Sequence, residues 1–323
     1  MKLFSLEGSR SFGELVAQKL HLSLSAHEER TFEDGECKVR PLENVRNQDV
    51  FVLHALYGDG HQDVHSKLCR LLFFIGALKD ASARRVTAVV PYLCYSRKDR
   101  KTKPRDPVTT RYMARLLEAA GADAVVTMDV HNLQAFQNAF RIPAENLEAR
   151  NLFAGYLADT MRGEDIVIMS PDFGGVKRAE QFLQTMEKRL GRQLALVVME
   201  KYRSGGELWG QRISGEVRDK TVMILDDLIS TGSTLARTCV ACRQAGARRV
   251  IALATHGLFT GRAPDILANQ GPEQILITNC VPPHRPDLSG MRDRITVLDA
   301  APLFAEAIRR MEEGGSLVEL LAD

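Results

Sequence analysis

The 323-residue chain lacks the features that mark secreted, membrane-spanning or nucleic-acid-coating proteins. Its six cysteines (Cys37, Cys69, Cys94, Cys239, Cys242 and Cys280) are scattered along the chain and do not form the dense framework of a small disulfide-stapled domain. Cys239 and Cys242 make one C-x-x-C inside a helical run, with no second pair and no nearby histidine, so they read as two small residues on one helix face. Long hydrophobic runs are missing too. The longest, at 71–78, falls far short of the roughly 20 residues that a helix needs to cross a bilayer. The apolar start meets Glu7 and Gly8 before reaching the length of a signal peptide, and a cytoplasmic protein without a membrane partner is expected. Nor is there an excess of one charge: 43 Lys and Arg stand against 41 Asp and Glu, a net of +2. That balance gives no broad cationic field for nucleic acid, so any anion must be held at local sites.

What the chain does have is a globular composition, 45% hydrophobic and 26% charged, and a length that allows roughly two domains. Runs rich in β-branched residues at 49–54, 86–91, 124–128, 165–169, 194–199, 222–225 and 250–254 alternate with helical patterns and are bounded by turn signals. This is the signature of buried parallel strands in an α/β fold. An internal echo sharpens it. Ala83-Arg84-Arg85-Val86 follows an amphipathic helix over 66–79, and Ala247-Arg248-Arg249-Val250 follows one over 234–245, an offset of 247 − 83 = 164. Equal context in two halves predicts a duplicated α/β unit, with a boundary near Arg150 that separates domains 1–149 and 150–323.

Open α/β sheets bind ligands beyond the carboxyl ends of their strands. The strongest signal at such an end is Asp226-Asp227-Leu228-Ile229-Ser230-Thr231-Gly232-Ser233-Thr234. Gly232 and the amides and hydroxyls of Thr231 to Thr234, at a helix N-terminus, suit a phosphate dianion. Asp226 and Asp227 would repel that phosphate and suit sugar hydroxyls or a metal, so a phosphorylated sugar satisfies both parts. A second strand end, Ser170-Pro171-Asp172-Phe173-Gly174-Gly175-Val176-Lys177-Arg178, offers close backbone approach, positive charge and an acid suited to Mg2+. Asp129 and His131 close a third strand; taken alone, His131 is more often a packed or surface histidine than a ligand. The run from Tyr95 to Arg105 is either a solvated charge cluster or a polyphosphate clamp, and Phe32 to Glu36 reads as a charged turn. Lys201 and Arg203 begin a glycine-rich segment able to close over a reacting phosphate.

Taken together and in this order, Phe32-Glu33-Asp34-Gly35-Glu36, Pro91 to Arg100, Met128-Asp129-Val130-His131, Ser170 to Gly175, Lys201-x-Arg203 and Asp226 to Thr234 resemble the ribose-phosphate pyrophosphokinases over nearly the whole chain. The resemblance implies two tandem type I phosphoribosyltransferase-type domains, each a mostly parallel sheet flanked by helices. It also implies transfer of the diphosphoryl group of ATP to the 1-hydroxyl of ribose 5-phosphate, with Mg2+ as cofactor. Phe32, Asp34, Glu36, Arg97, Lys98, Asp99 and His131 match ATP-side positions, and His131 and Asp172 match metal-linked ones. Asp226, Asp227, Ser230, Thr231, Gly232, Ser233 and Thr234 match the ribose 5-phosphate positions, and Lys201 and Arg203 the catalytic pair. A homo-oligomer is implied, a hexamer before a dimer or tetramer. The chain departs from the family pattern at Lys98, where Gln is usual, at Ser230, where Asp is usual, and at Glu312 to Ser316, where many members carry a pair of regulatory serines. A non-catalytic homologue of the synthetase and a phosphoribosyltransferase are the alternative readings.

Overall fold

A computed structural model describes residues 1–204, 207–282 and 286–322, with side chains except at 201–211, 286, 287 and 289. The chain folds into two compact units. In the first, β1 (Lys2–Ser5) and α1 (Arg10–Lys19) lead to a ribbon of β2 (His27–Thr31) and β3 (Cys37–Pro41). There follow β4 (Asp49–Leu53), α2 (Val64–Asp80), β5 (Arg85–Val90), α3 (Thr109–Ala119), β6 (Ala124–Met128), α4 (Leu133–Ala139) and β7 (Ala144–Leu147). The sheet order is β1-β4-β5-β6-β7, every pair parallel. All five residues of β4 and of β6 are buried, which is why these strands are continuous apolar runs without alternation.

The second unit contains α5 (Arg150–Thr160), β8 (Ile166–Ser170), α6 (Val176–Leu190), β9 (Ala195–Ser204), β10 (Glu207–Ser214), β11 (Thr221–Ile229), α7 (Ser233–Gln244), β12 (Arg249–Gly257), α8 (Ala263–Gln270), β13 (Gln274–Thr278) and β14 (Ile295–Leu298). Its sheet runs β10-β9-β8-β11-β12-β13-β14 and is parallel except at the β9/β10 hairpin. Cys239 and Cys242 of α7 lie in its core, with Cys242 Sγ 3.5 Å from Met169 Sδ. Burial pushes the Cys242 thiol up to about 12, so the pair packs as small apolar residues and is unreactive.

The echoed segments open β5 and β12, and each strand adds to its sheet beside an equivalent neighbour: Val86 pairs with Val50 of β4, Val250 with Val222 of β11. The end of the chain departs from the expected two halves. After Asp299 it leaves the second unit, and α9 (Ala301–Glu313) and α10 (Leu317–Ala322) belong to the first. The cause is the apolar face of α9. Phe304 is fully buried and meets Phe12 of α1 edge-on at 5.5 Å, while Glu312 sits 3.6 Å from Arg85. A boundary drawn from the echo alone cannot reveal this return.

Among the described residues no helix is long and apolar enough to cross a membrane. Phe304→Ala is expected to destabilise the first unit by about 3–5 kcal/mol, the usual result of emptying a buried aromatic site. Urea unfolding followed by circular dichroism measures this, and a loss below about 1 kcal/mol would mean that α9 docks without its phenylalanine.

Candidate active site

In the second unit the chemistry collects at the carboxyl edge of β8 and β11. Strand β11 is buried until Asp226, whose side chain is 36% exposed beside Asp227 at 5%. Oδ1 of Asp226 accepts from the Asp227 amide at 2.9 Å. One guanidinium serves both acids: Arg178 Nη1 of α6 lies 3.5 Å from Asp227 and 4.0 Å from Asp226. Even so, burial and then the adjacent Asp227 charge push the Asp226 carboxyl well above the usual carboxylate range.

Beyond the acids the chain turns at Gly232, with φ +72. A Cβ there would lie 2.8 Å from Leu267 Cγ in a backbone conformation that L residues rarely adopt, so glycine is required on both counts. Gly232 is also the N-cap of α7 and supplies no capping side chain, so the first amides of that helix face outward beside the hydroxyls of Thr231, Ser233 and Thr234. Ser230 Oγ meets Thr260 Oγ1 at 3.0 Å, and its carbonyl accepts from the Thr260 amide. After β8, Asp172 Oδ1 accepts from the amides of Gly174 at 3.0 Å and Gly175 at 3.3 Å. A Cβ at Gly175 would come within 2.8 Å of Ser170 Oγ, so the Gly-Gly turn is a packing requirement as well as an opening.

In the first unit the expected residues sit in three places. The hairpin tip closes through Phe32 N to Glu36 O at 2.8 Å and Gly35 N to Phe32 O at 3.0 Å, and Asp34 Oδ1 caps the Glu36 amide. Arg30 lies over the half-buried Phe32 ring at 4.9 Å, while Asp34 and Glu36 are exposed. Arg97, Lys98 and Asp99 follow β5, and an exposed His131 follows β6. Asn132 joins the last two places: its Nδ2 donates to Asp99 Oδ2 at 2.5 Å, and its Oδ1 caps α4 through the Ala135 amide. The side chains of Lys201 and Arg203 lie outside the described residues.

Residues 1–121 match the family model described as the N-terminal domain of ribose phosphate pyrophosphokinase, and residues 207–322 match the phosphoribosyl synthetase-associated domain. A ribose-phosphate pyrophosphokinase of Caldanaerobacter subterraneus subsp. tengcongensis is 38% identical over 322 residues, spanning 99% of this chain and 97% of that protein. The chain belongs to the ribose-phosphate pyrophosphokinase family. Ribose-phosphate pyrophosphokinase 3 of Saccharomyces cerevisiae is 36% identical over 98% of this chain and 96% of its own length. The crystal structure of phosphoribosylpyrophosphate synthetase from Mycobacterium smegmatis superposes with a TM-score of 0.87 at 36% identity, covering 97% of this chain and 99% of that one.

Within this pyrophosphokinase-family chain, motif reading missed Asn132 and Thr260 as supports. Asn132 carries a signal, since an Asn just before an apolar helical run is a cap. Thr260 carries none, because its contact with Ser230 arises only once β11 and β12 are aligned.

The Asp226 environment yields a measurable consequence. A carboxyl whose folded pKa is raised destabilises the fold when ionised, above that pKa, and ceases to do so as pH falls toward the unfolded value of about 4. Asp226→Asn is therefore expected to raise the melting temperature at pH 8 by about 2 °C, with the gain shrinking toward pH 5. Calorimetry at the two pH values measures it, and a lower melting temperature at pH 8 would contradict the assignment.

Proposed function

We propose that the chain is a ribose-phosphate diphosphokinase that transfers the diphosphoryl group of ATP to the 1-hydroxyl of ribose 5-phosphate, giving 5-phosphoribosyl 1-diphosphate and AMP. The observation that carries this reading is the juxtaposition of paired acids at Asp226 and Asp227 with the outward amides of α7. Asp226 and Asp227 accept hydrogen bonds from the ribose hydroxyls, and Ser230 to Thr234 surround the 5-phosphate. Phe32, Asp34, Glu36, Arg97, Asp99 and His131 bind ATP, with Lys98 in the same basic loop.

The sugar oxygen attacks the β-phosphorus in line, its proton is lost, and AMP departs with the bridging oxygen. Catalysis is then mainly positioning and neutralisation of charge, and no side-chain nucleophile takes part. Lys201 and Arg203 offset charge that develops on the transferring group. Among the described residues no cluster of three or more His, Cys, Asp or Glu forms a preassembled metal cage. Asp172 offers the carboxylate oxygen that suits a hard ion otherwise bound by phosphate oxygens and water, and Asp172 and His131 are the residues we assign to Mg2+. When bound, Mg2+ would draw negative charge off the polyphosphate.

A non-catalytic subunit of the same fold is the rival, and the engagement of Ser230 with Thr260 favours it, because the family's usual acid is missing there. We also propose a homo-oligomer, with a hexamer first. Exposed Phe73 of α2 and Tyr112 and Leu116 of α3 support self-association.

Purified protein incubated with Mg2+, ATP and ribose 5-phosphate is expected to yield equal amounts of AMP and phosphoribosyl diphosphate by ion-exchange chromatography. No product above a sugar-free control would favour the non-catalytic reading. In active protein, Lys201→Ala is expected to slow turnover by at least ~10²-fold, as for loss of a group that acts mainly in the transition state. Near-normal turnover would remove Lys201 from the mechanism.

A further inference from the structure

The segment from Arg97 to Arg105 holds six cations: Arg97, Lys98, Arg100, Lys101, Lys103 and Arg105. Left to itself such a run spreads by mutual repulsion, yet here it is folded. Asn132 holds Asp99 and Thr110 holds the Lys98 carbonyl, while one carboxylate gathers the rest. Asp106 Oδ2 accepts from Lys98 Nζ, from the Thr102 hydroxyl at 2.8 Å and amide at 3.0 Å, and from the Lys103 amide at 2.9 Å. Lys98 Nζ donates in addition to Thr102 Oγ1 at 2.7 Å. The two ends of the segment are thereby clipped together, with Arg105 in the left-handed region at φ +64 to bring Asp106 round. The Lys98 hydrogen bond, with those from Thr102 and Lys103, holds the Asp106 carboxyl far below the usual carboxylate range, so the clip is ionised throughout the neutral range. Arg97, next to Lys98, is exposed and takes no part in the clip.

We propose that Asp106 is a positioning residue for the nucleotide: it ties Lys98 into a closed loop, so that Lys98 acts as a staple while Arg97 is presented to the polyphosphate. The Lys98 that replaces the family's usual Gln thereby acquires a role through Asp106 and not through ATP. This rests on the assignment of Arg97 to the ATP site. A loop already ordered does not have to be ordered on binding, and it is the affinity for ATP that gains.

The test varies ATP and ribose 5-phosphate separately in the wild type, Asp106→Asn, Asp106→Glu, Lys98→Gln, the Lys98→Gln/Asp106→Asn double variant and Arg97→Ala, with calorimetric titration of ATP alongside. Asp106→Asn is expected to raise the KM and Kd for ATP about tenfold, with kcat and the KM for ribose 5-phosphate within about twofold of wild type. Asp106→Glu should recover part of the loss. Lys98→Gln should raise the same constants, and the double variant should be no worse than the poorer single one, because both remove one contact. Independent, multiplying effects in the double variant would place Lys98 on the nucleotide and overturn the proposal. Unchanged ATP constants in Asp106→Asn, beside an Arg97→Ala that does weaken ATP, would overturn the proposal alone. Unchanged constants in Arg97→Ala would overturn the ATP-site assignment and the proposal with it.

Discussion

Two carboxylates side by side at the end of a buried strand repel each other, and the second unit is organised around containing that repulsion. The Asp227 amide turns back on Asp226, Arg178 reaches both acids from α6, and Asp226 keeps a partly open face to water. The repulsion is kept at a partly open edge, where a hydrogen-bond donor or a cation facing the pair would stabilise its ionised form. Gly232 follows from the same constraint. A chain leaving a buried strand must turn at once if the helix amides are to stand beside the acids, and the left-handed turn against Leu267 admits no side chain.

The first unit shows what the same scaffold becomes without that repulsion. Pairing of Val50 with Val86 and of Val222 with Val250 makes His54 and Ala55 the counterparts of Asp226 and Asp227. Ser9 Oγ lies 3.2 Å from His54 Nδ1, and burial, followed by the Lys67 charge, lowers the imidazole pKa to about 3, so it is neutral. In the loop that corresponds to the turn at 230–234, Asp59 takes buried Lys67 at 2.6 Å, and the ammonium lies 3.7 Å over the Tyr57 ring. The first unit thus carries an internal ion pair in that loop. The polar chemistry of the first unit moves one and two strands along, to the ends of β5 and β6. The two sheet edges match in register, and side chains decide how they differ.

The continuous apolar strands were legible because both faces of a parallel sheet are buried: the predicted runs at 49–54, 86–91 and 250–254 lie within a residue or three of β4, β5 and β12. The β2/β3 ribbon was not, since His-Glu-Glu-Arg-Thr alternates with nothing and carries charge on both faces. Short β1, β7 and β14 fall below the length at which a period can be read. At the site, residue types at strand ends pointed to Asp226, Asp227 and Asp172, because a carboxylate at the end of a buried strand adds nothing to an apolar core. Their supports stayed hidden. Asn132 with Asp99 and Ser230 with Thr260 meet across separate loops, and Asp106 reads locally as one more charge in a charged run.

The charged ribbon explains itself once its root is considered. Glu29 is buried, and although burial pushes its carboxyl up, hydrogen bonds from His27 at 2.9 Å and the Glu7 amide at 2.6 Å hold it below the usual range. Arg70 of α2 completes the set at 3.4 Å and bonds Thr31 at 2.6 Å. A buried charge is tolerable only when several donors meet it together, so these bonds fix the root of the ribbon as a unit. The tip, from Phe32 to Glu36, is held by its own backbone, by the Asp34 cap on the Glu36 amide and by Arg30 over the Phe32 ring. With its root fixed by charge and its tip closed by local hydrogen bonds, the ribbon leaves Asp34 and Glu36 exposed beside a half-buried Phe32, and so a largely charged segment is ordered.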